Sequence, residues 1–231
     1  MDARGVRRVA APMVLAFLVA AGLGARPAGA DGGVPPAPPP ATASGTPCVP
    51  FAGARRVLLA GDSMVGFRGG LSKALSPRLA AQGIQLRADP WNGVGIERYA
   101  RDGRLSRLLG ERDADVVLVS LGTNDVFVPH PQALVPWVKS IARSVGARRC
   151  VWLGPPTWKG DTGVVAVIRA HAAPCVFFDG SGLDLERLRD GIHLTDAGGE
   201  AWAAALWRFL EEERPGLQCM RTSPPQGTST D

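Results

Sequence analysis

The chain has 231 residues and a formal net charge of +5. Residues 1–30 hold four arginines and one aspartate, so the rest of the chain carries only +2, from 22 basic and 20 acidic side chains. No dense run of Lys and Arg remains there, and the charge therefore argues against a nucleic-acid-binding protein.

The amino-terminal segment 1–30 has the pattern of a secretory signal peptide. Three arginines precede the apolar stretch Val9–Leu23, and Ala28-Gly29-Ala30 supplies small residues at the cleavage position. The alternative is an uncleaved anchor, but the apolar stretch is shorter than the ~20 residues of a spanning helix. The sequence thus predicts an exported protein, periplasmic or secreted, with no stable membrane insertion after signal cleavage.

The remainder divides into three parts by composition. Residues 31–50 are rich in Pro and Ala and predict an extended linker. Residues 215–231 predict a flexible tail. Residues 51–214 are enough chain for one domain with a single hydrophobic core.

Within that domain, short apolar runs alternate with amphipathic segments. The predicted strands cover residues 56–60, 84–88, 115–121, 150–153 and 175–178. The predicted helices cover residues 66–82, 99–109, 131–146 and 162–172, and a last helix begins near Thr195, a suitable N-cap. Strands that alternate with helices predict a five-stranded parallel sheet in a three-layer α/β/α sandwich of flavodoxin-like type. In such sheets the functional site lies at the carboxyl ends of the strands.

Four cysteines in an exported chain permit two disulfides. Cys48 and Cys219 flank the domain, whereas Cys150 and Cys175 each begin an apolar run. Three pairings are possible, four free thiols are the alternative, and the sequence does not choose among them. No Cys/His cluster has the spacing of a zinc site, so no metal is expected.

Two polar motifs follow predicted strands. Ser63, in Gly61-Asp62-Ser63, follows the first strand, where the start of a helix presents backbone N–H groups to developing negative charge. Asn124, in Gly122-Thr123-Asn124-Asp125, follows the third strand and reaches the same edge of the sheet. Taken alone, the position of Ser63 is typical of a helix N-cap, and that of Asn124 is typical of a turn residue.

A third motif precedes the last helix. Asp190 and His193 stand three residues apart, a spacing at which the carboxylate can accept a hydrogen bond from imidazole Nδ1. The other ring nitrogen is then free to take a proton from Ser63. His130 and His171 have no comparable neighbour and read as surface or capping residues.

These three motifs, in this order, resemble those of the SGNH (GDSL-type) hydrolase superfamily, and the resemblance spans roughly residues 55–212. It implies that Ser63 is the nucleophile, His193 the base and Asp190 the residue that orients it. It also implies an oxyanion hole formed by the N–H groups of Ser63 and Gly95 and the amide of Asn124. Gly93 is the alternative to Gly95. No cofactor is implied.

The expected function is therefore that of an exported esterase that hydrolyses a small-molecule or glycan ester with a short-chain or acetyl group. Alternatives are an O-acetylesterase or O-acetyltransferase acting on envelope polysaccharide, and a catalytically silent binding domain. A nucleotide-binding domain is disfavoured because no GxGxxG or GxxxxGK[ST] pattern is present. Trp91 and Trp158, in loops at the expected site edge, are candidates for substrate binding.

Overall fold

The structure is a computed structural model, and it describes residues 51–111 and 113–212. The expected signal peptide (1–30), linker (31–50) and tail (215–231) lie outside the described residues and stay predictions. Within the described part, no helix has the length and apolar character needed to cross a bilayer.

The core of the domain is a parallel sheet. Its five strands are β1 (Arg56–Gly61), β2 (Gln85–Pro90), β3 (Val116–Ser120), β4 (Arg149–Leu153) and β5 (Val176–Phe178). They pair in the order β2-β1-β3-β4-β5, and every pairing is parallel. Every residue of the central strand β3 is buried, as expected for a strand covered on both faces. The predicted five-stranded parallel sheet is confirmed.

Within residues 51–111 and 113–212, seven α-helices connect and follow the strands. They are α1 (Ser63–Gly66), α2 (Leu71–Ala80), α3 (Ile96–Asp102), α4 (Arg104–Glu111), α5 (Val135–Ser144), α6 (Val164–His171) and α7 (Asp196–Glu211). A 3₁₀ turn, Pro131–Leu134, leads into α5. Thr195 caps α7, and its hydroxyl accepts the N–H of Gly198 at 3.1 Å, as the sequence predicted.

The helices cover both faces of the sheet. One buried cluster joins the strands to α2 and α7 through residues such as Leu75, Leu79, Trp202 and Leu206. A second cluster joins the other face to α3, α4, α5 and α6. The three-layer α/β/α sandwich is therefore confirmed.

Two helices predicted as continuous are divided at glycines. The segment predicted as 66–82 is interrupted around Gly69, where a Cβ atom would lie 2.1 Å from the carbonyl oxygen of Thr195. The segment predicted as 99–109 is interrupted at Gly103, which has a φ of +66°. Gly69 allows two backbone segments to approach closely, and Gly103 adopts a left-handed conformation. Helical periodicity in the sequence reveals neither feature.

A disulfide joins Cys150 in β4 to Cys175 just before β5. It is one of the pairings that the sequence left open; Cys48 and Cys219 lie outside the described residues. Cys150 and Cys175 lie towards the amino ends of their strands. The cross-link therefore stabilises the end of the sheet opposite to the carboxyl ends of the strands.

Candidate active site

Ser63 lies in the tight turn from β1 into α1. It is the first residue of α1, and the preceding Asp62 caps this short helix by accepting the N–H of Met64 at 3.0 Å. The N–H of Asp62 donates to the carbonyl of Ser120 in β3 at 2.9 Å. Ser63 thus lies at the carboxyl ends of β1 and β3, between which the strand order reverses. This is the usual position of a site in an open α/β sheet.

The Asp190–His193 loop approaches Ser63 from the other end of the chain. His193 Nε2 lies 2.9 Å from Ser63 Oγ, and His193 Nδ1 lies 2.8 Å from Asp190 Oδ2. Asp190 Oδ1 also accepts the backbone N–H groups of Ile192, at 2.8 Å, and of His193, at 2.9 Å. The three side chains form a continuous hydrogen-bonded series, as in a serine hydrolase triad.

The charge of Asp190 assigns the proton positions in this series. The hydrogen bond from His193 and the two backbone N–H groups lower the pKa of Asp190 to about 2, so it is ionised near neutrality. An ionised carboxylate only accepts, and Nδ1 therefore carries the imidazole proton. In the neutral imidazole, Nε2 is then the acceptor for the hydroxyl of Ser63.

Asn124 and Asp125 connect the loop after β3 to the start of α3. Asn124 Nδ2 donates to the carbonyl of Val94 at 3.0 Å. Asp125 is buried, and its Oδ2 accepts the N–H of Ile96 at 3.0 Å. Burial raises the pKa of Asp125, and this hydrogen bond acts in the opposite direction. The side-chain amide of Asn124 is thereby oriented and keeps a second N–H for another acceptor.

Gly95 lies directly between these two contacts, as the N-cap residue of α3. Its φ of −92° is open to any residue, but a Cβ atom would lie 2.8 Å from Asp125 Oδ1. Gly93, by contrast, has a φ of +72° in the preceding turn. Among the hydrogen bonds of the described residues, none uses the N–H of Ser63 or of Gly95 as donor. Both groups are available as donors.

The role of Asp62 goes beyond capping and was not part of the sequence prediction. Its side chain is fully buried, and Oδ2 accepts the N–H of Thr123 at 3.2 Å while Oδ1 accepts Met64. Burial raises the pKa of Asp62 to about 6, although both hydrogen bonds favour the ionised form. An Asp at a strand-to-helix turn signals an N-cap, but no local pattern reveals a partner 61 residues away.

The two tryptophans predicted to bind substrate take part in other contacts as well. Trp91 is partly buried against the core, and the guanidinium groups of Arg98 and Arg104 each lie 5.2 Å from its ring centroid. Trp158 is partly buried too and meets Phe127 edge-on at 5.8 Å. Both tryptophans follow strand ends, Trp91 after β2 and Trp158 after β4.

Two further residues contact His193 or its loop, and sequence reasoning missed both. Arg187 donates to the carbonyls of Ile192 and Pro156, and so joins the His193 loop to the loop after β4. The ring centroid of Phe67 lies 4.3 Å from that of His193. Neither contact has a sequence signal, because each joins segments that only the folded sheet brings together.

No protein-family model matches the chain, and no curated protein matches its sequence. Solved structures do match. A lipase/acylhydrolase from Enterococcus faecalis is 18% identical with a TM-score of 0.57, over 68% of this chain and 95% of that one. A carbohydrate acetylesterase from Sinorhizobium meliloti is 20% identical with a TM-score of 0.52, over 68% and 98%.

The inhibitor-bound aryl esterase of M. smegmatis is 21% identical with a TM-score of 0.51, over 68% of this chain and 98% of that one. The chain has the SGNH hydrolase fold. The fold expected from the three sequence motifs is confirmed. Nearly the full length of each of these solved chains is matched.

The buried carboxyl group of Asp62 predicts a specific dependence of stability on pH. Its pKa of about 6 in the folded state exceeds the ~3.9 of an unfolded Asp, so folding favours the protonated form. The stability that Asp62 contributes is present below about pH 4 and is lost as the pH rises to about 6. We expect the difference in free energy of unfolding, wild type minus Asp62→Asn, to fall by about 2–3 kcal/mol between pH 4 and pH 7.

Urea denaturation at a series of pH values measures this difference. Asp115→Asn is the matched control, since Asp115 also accepts two backbone N–H groups but has a lowered pKa. The difference in free energy of unfolding between wild type and Asp115→Asn should rise with pH, because the stability that Asp115 contributes is lost as the pH falls. A wild-type minus Asp62→Asn difference that stays constant or rises with pH would contradict the assignment.

Proposed function

We propose that this protein is an exported serine esterase that hydrolyses a short-chain or acetyl carboxylic ester through an acyl-enzyme on Ser63. The observation that carries the proposal is the hydrogen-bonded series from Asp190 through His193 to Ser63, with distances of 2.8 and 2.9 Å. The ionised Asp190 accepts from Nδ1 of His193 and so directs Nε2 towards Ser63, which is the arrangement that general-base catalysis requires.

In the first half of the reaction, His193 Nε2 takes the proton of Ser63 as Oγ attacks the ester carbonyl carbon. The π electrons of the carbonyl move to its oxygen and give a tetrahedral intermediate. This collapses as the bond to the alcohol oxygen breaks, and His193 returns its proton to that oxygen. The alcohol leaves, and the acyl group remains on Ser63.

In the second half, water takes the place of the alcohol. His193 removes a proton from the water as its oxygen attacks the acyl-enzyme, and then protonates Ser63 Oγ as the acid departs. Asp190 stays ionised and stabilises the imidazolium that forms in each half.

The oxyanion is assigned to three donors: the N–H groups of Ser63 and Gly95 and the second amide N–H of Asn124. The two backbone groups are unused within the described residues, and the Asn124 amide is oriented by Val94. These donors are fixed before substrate arrives, which is the condition under which such groups lower a barrier most.

A second candidate is a glycan O-acetyl ester as the natural substrate. One structural neighbour is a carbohydrate acetylesterase and another is an acetyl xylan esterase. A sugar hydroxyl could also replace water in the second half-reaction and make the protein an O-acetyltransferase. Product analysis with an acetylated glycan, with and without an acceptor glycan, separates hydrolysis from transfer. A catalytically silent binding domain is disfavoured because every member of the triad is present and hydrogen-bonded.

The nucleophile can be tested directly. The wild type should hydrolyse p-nitrophenyl acetate and react with a fluorophosphonate probe, whereas Ser63→Ala should lose the label and at least about 10³-fold of the turnover. Circular dichroism of Ser63→Ala shows that the fold is retained. Equal turnover by the two proteins, or a folded wild type that the probe does not label, would contradict the esterase proposal.

The oxyanion role of Asn124 predicts a defect in kcat. Asn124→Ala removes one donor to the developing negative charge, which should lower kcat about 100-fold or more and change KM little. Asp125→Asn is the matched control, because it keeps an oxygen for the Ile96 N–H and does not face the oxyanion. Steady-state kinetics on p-nitrophenyl acetate measures both variants. If Asn124→Ala raised KM and left kcat unchanged, Asn124 would bind the substrate and the transition state equally well. That result would contradict an oxyanion role for Asn124.

Export is proposed from the signal pattern of residues 1–30, and the Cys150–Cys175 disulfide is consistent with an oxidising compartment. We expect the mature protein to begin at Asp31. Mass spectrometry of the amino-terminal peptide, from the periplasm or the medium of cells that express the full chain, tests this. A full-length chain retained in the membrane fraction would instead indicate the uncleaved anchor.

A further inference from the structure

One exposed aromatic side chain lies beside the triad. Among the described residues, only two large hydrophobic side chains are exposed: Phe67, at 36% of its surface, and Phe127, at 51%. Phe127 packs edge-on against Trp158. Phe67 instead lies against the imidazole of His193, with 4.3 Å between the ring centroids and 39° between the planes.

The position of Phe67 is set by the same turn that holds Ser63. Phe67 follows the last residue of α1, and its N–H donates to the carbonyl of Ser63 at 3.0 Å. Gly66, just before it, lies so close to Pro90 that a Cβ atom would approach the proline ring to 2.8 Å. The backbone is thus held on both sides, and the Phe67 ring has a defined place relative to Ser63 Oγ and His193.

The chemistry of the reaction identifies which part of an ester meets this ring. The carbonyl oxygen must point to the proposed donors at Gly95 and Asn124, and the Asn124 amide is held by the carbonyl of Val94. The alcohol oxygen must reach His193 Nε2 to receive its proton. The group attached to that oxygen therefore leaves along the side of Ser63 where His193 and Phe67 lie.

We infer that Phe67 forms a wall of the subsite for the alcohol portion of the ester, and that it selects alcohols in which a ring follows the ester oxygen. The inference rests on the proposed esterase function. An aromatic ring or the C–H face of a saturated ring can pack on the exposed third of Phe67, whereas a short alkyl alcohol covers little of it.

A purely structural role for Phe67, holding His193 in place, makes a different prediction. His193 acts in both halves of the reaction, but the alcohol is present only in the first. A wall of the alcohol subsite affects acylation of Ser63 by ring-bearing esters and leaves hydrolysis of the acyl-enzyme unchanged. A support for His193 would affect both halves and all esters alike.

The experiment compares Phe67→Ala with wild type on benzyl acetate and ethyl acetate, which share the acyl group. We expect the ratio of kcat/KM for benzyl over ethyl acetate to fall about 3- to 10-fold in the variant. Phe67→Tyr keeps the ring and should keep the ratio, whereas Phe67→Leu keeps apolar bulk and should lose most of it. Labelling by a fluorophosphonate probe shows that Ser63 is reactive in each variant.

Three controls define the specificity of the effect. The ratio for p-nitrophenyl acetate over p-nitrophenyl butyrate, in which only the acyl group changes, should be the same in wild type and Phe67→Ala. Phe127→Ala removes an exposed ring that does not contact His193, and should leave the benzyl-to-ethyl ratio within about twofold. In rapid-mixing experiments with p-nitrophenyl acetate, the slow phase that reports hydrolysis of the acetyl-enzyme should not change in Phe67→Ala.

The inference and the proposed function fail in different ways. If wild type and Ser63→Ala are equally active, the esterase proposal itself is wrong. If activity depends on Ser63 but Phe67→Ala lowers benzyl and ethyl acetate equally, or slows acetyl-enzyme hydrolysis, Phe67 supports His193 and the alcohol-subsite inference is overturned. The same follows if Phe127→Ala reduces the benzyl-to-ethyl ratio as strongly as Phe67→Ala.

Discussion

The site depends on one buried carboxyl group, that of Asp62. It accepts the N–H of Met64 with one oxygen and the N–H of Thr123 with the other, and so connects the Ser63 turn to the loop that carries Asn124. Burying an acid is costly, as its raised pKa shows. The fold tolerates that cost at a point where the two loops must keep a fixed separation, since one carries the proposed nucleophile and the other a proposed oxyanion donor.

Two glycines make this arrangement sterically possible. A Cβ atom on Gly61 would lie 1.9 Å from the carbonyl oxygen of Ser120, so β1 and β3 approach as closely as they do only because Gly61 has none. Gly95 allows Asp125 to reach the N–H of Ile96 in the same way. Both glycines are therefore required because a side chain would clash there, and not because the backbone has an unusual φ. Each allows two segments of the site to approach closely.

The sequence predicted the sheet and the meeting of the motifs because both follow from local patterns. Apolar runs locate the strands, and residues directly after parallel strands must share one edge, which brings Ser63 near the Asn124 loop. The Asp190–His193 spacing is local too. The contacts of Asp62 with Thr123, Arg187 with Pro156 and Phe67 with His193 join remote segments, so no local pattern contains them. The helix breaks at Gly69 and Gly103 were missed because apolar spacing continues across them.

The two sides of the site are held differently, and the reaction gives a reason. The contacts of Asp62 and of Asp125 are buried, so the loops that carry the proposed oxyanion donors are fixed from inside the protein. The carboxylate of Asp190, in contrast, is 43% exposed. Donors that had to reorganise during the reaction would stabilise the oxyanion less. The base, in contrast, must exchange a proton first with Ser63 Oγ and then with the alcohol oxygen. A rigid set of proposed oxyanion donors beside a proposed base on a more exposed loop meets both demands.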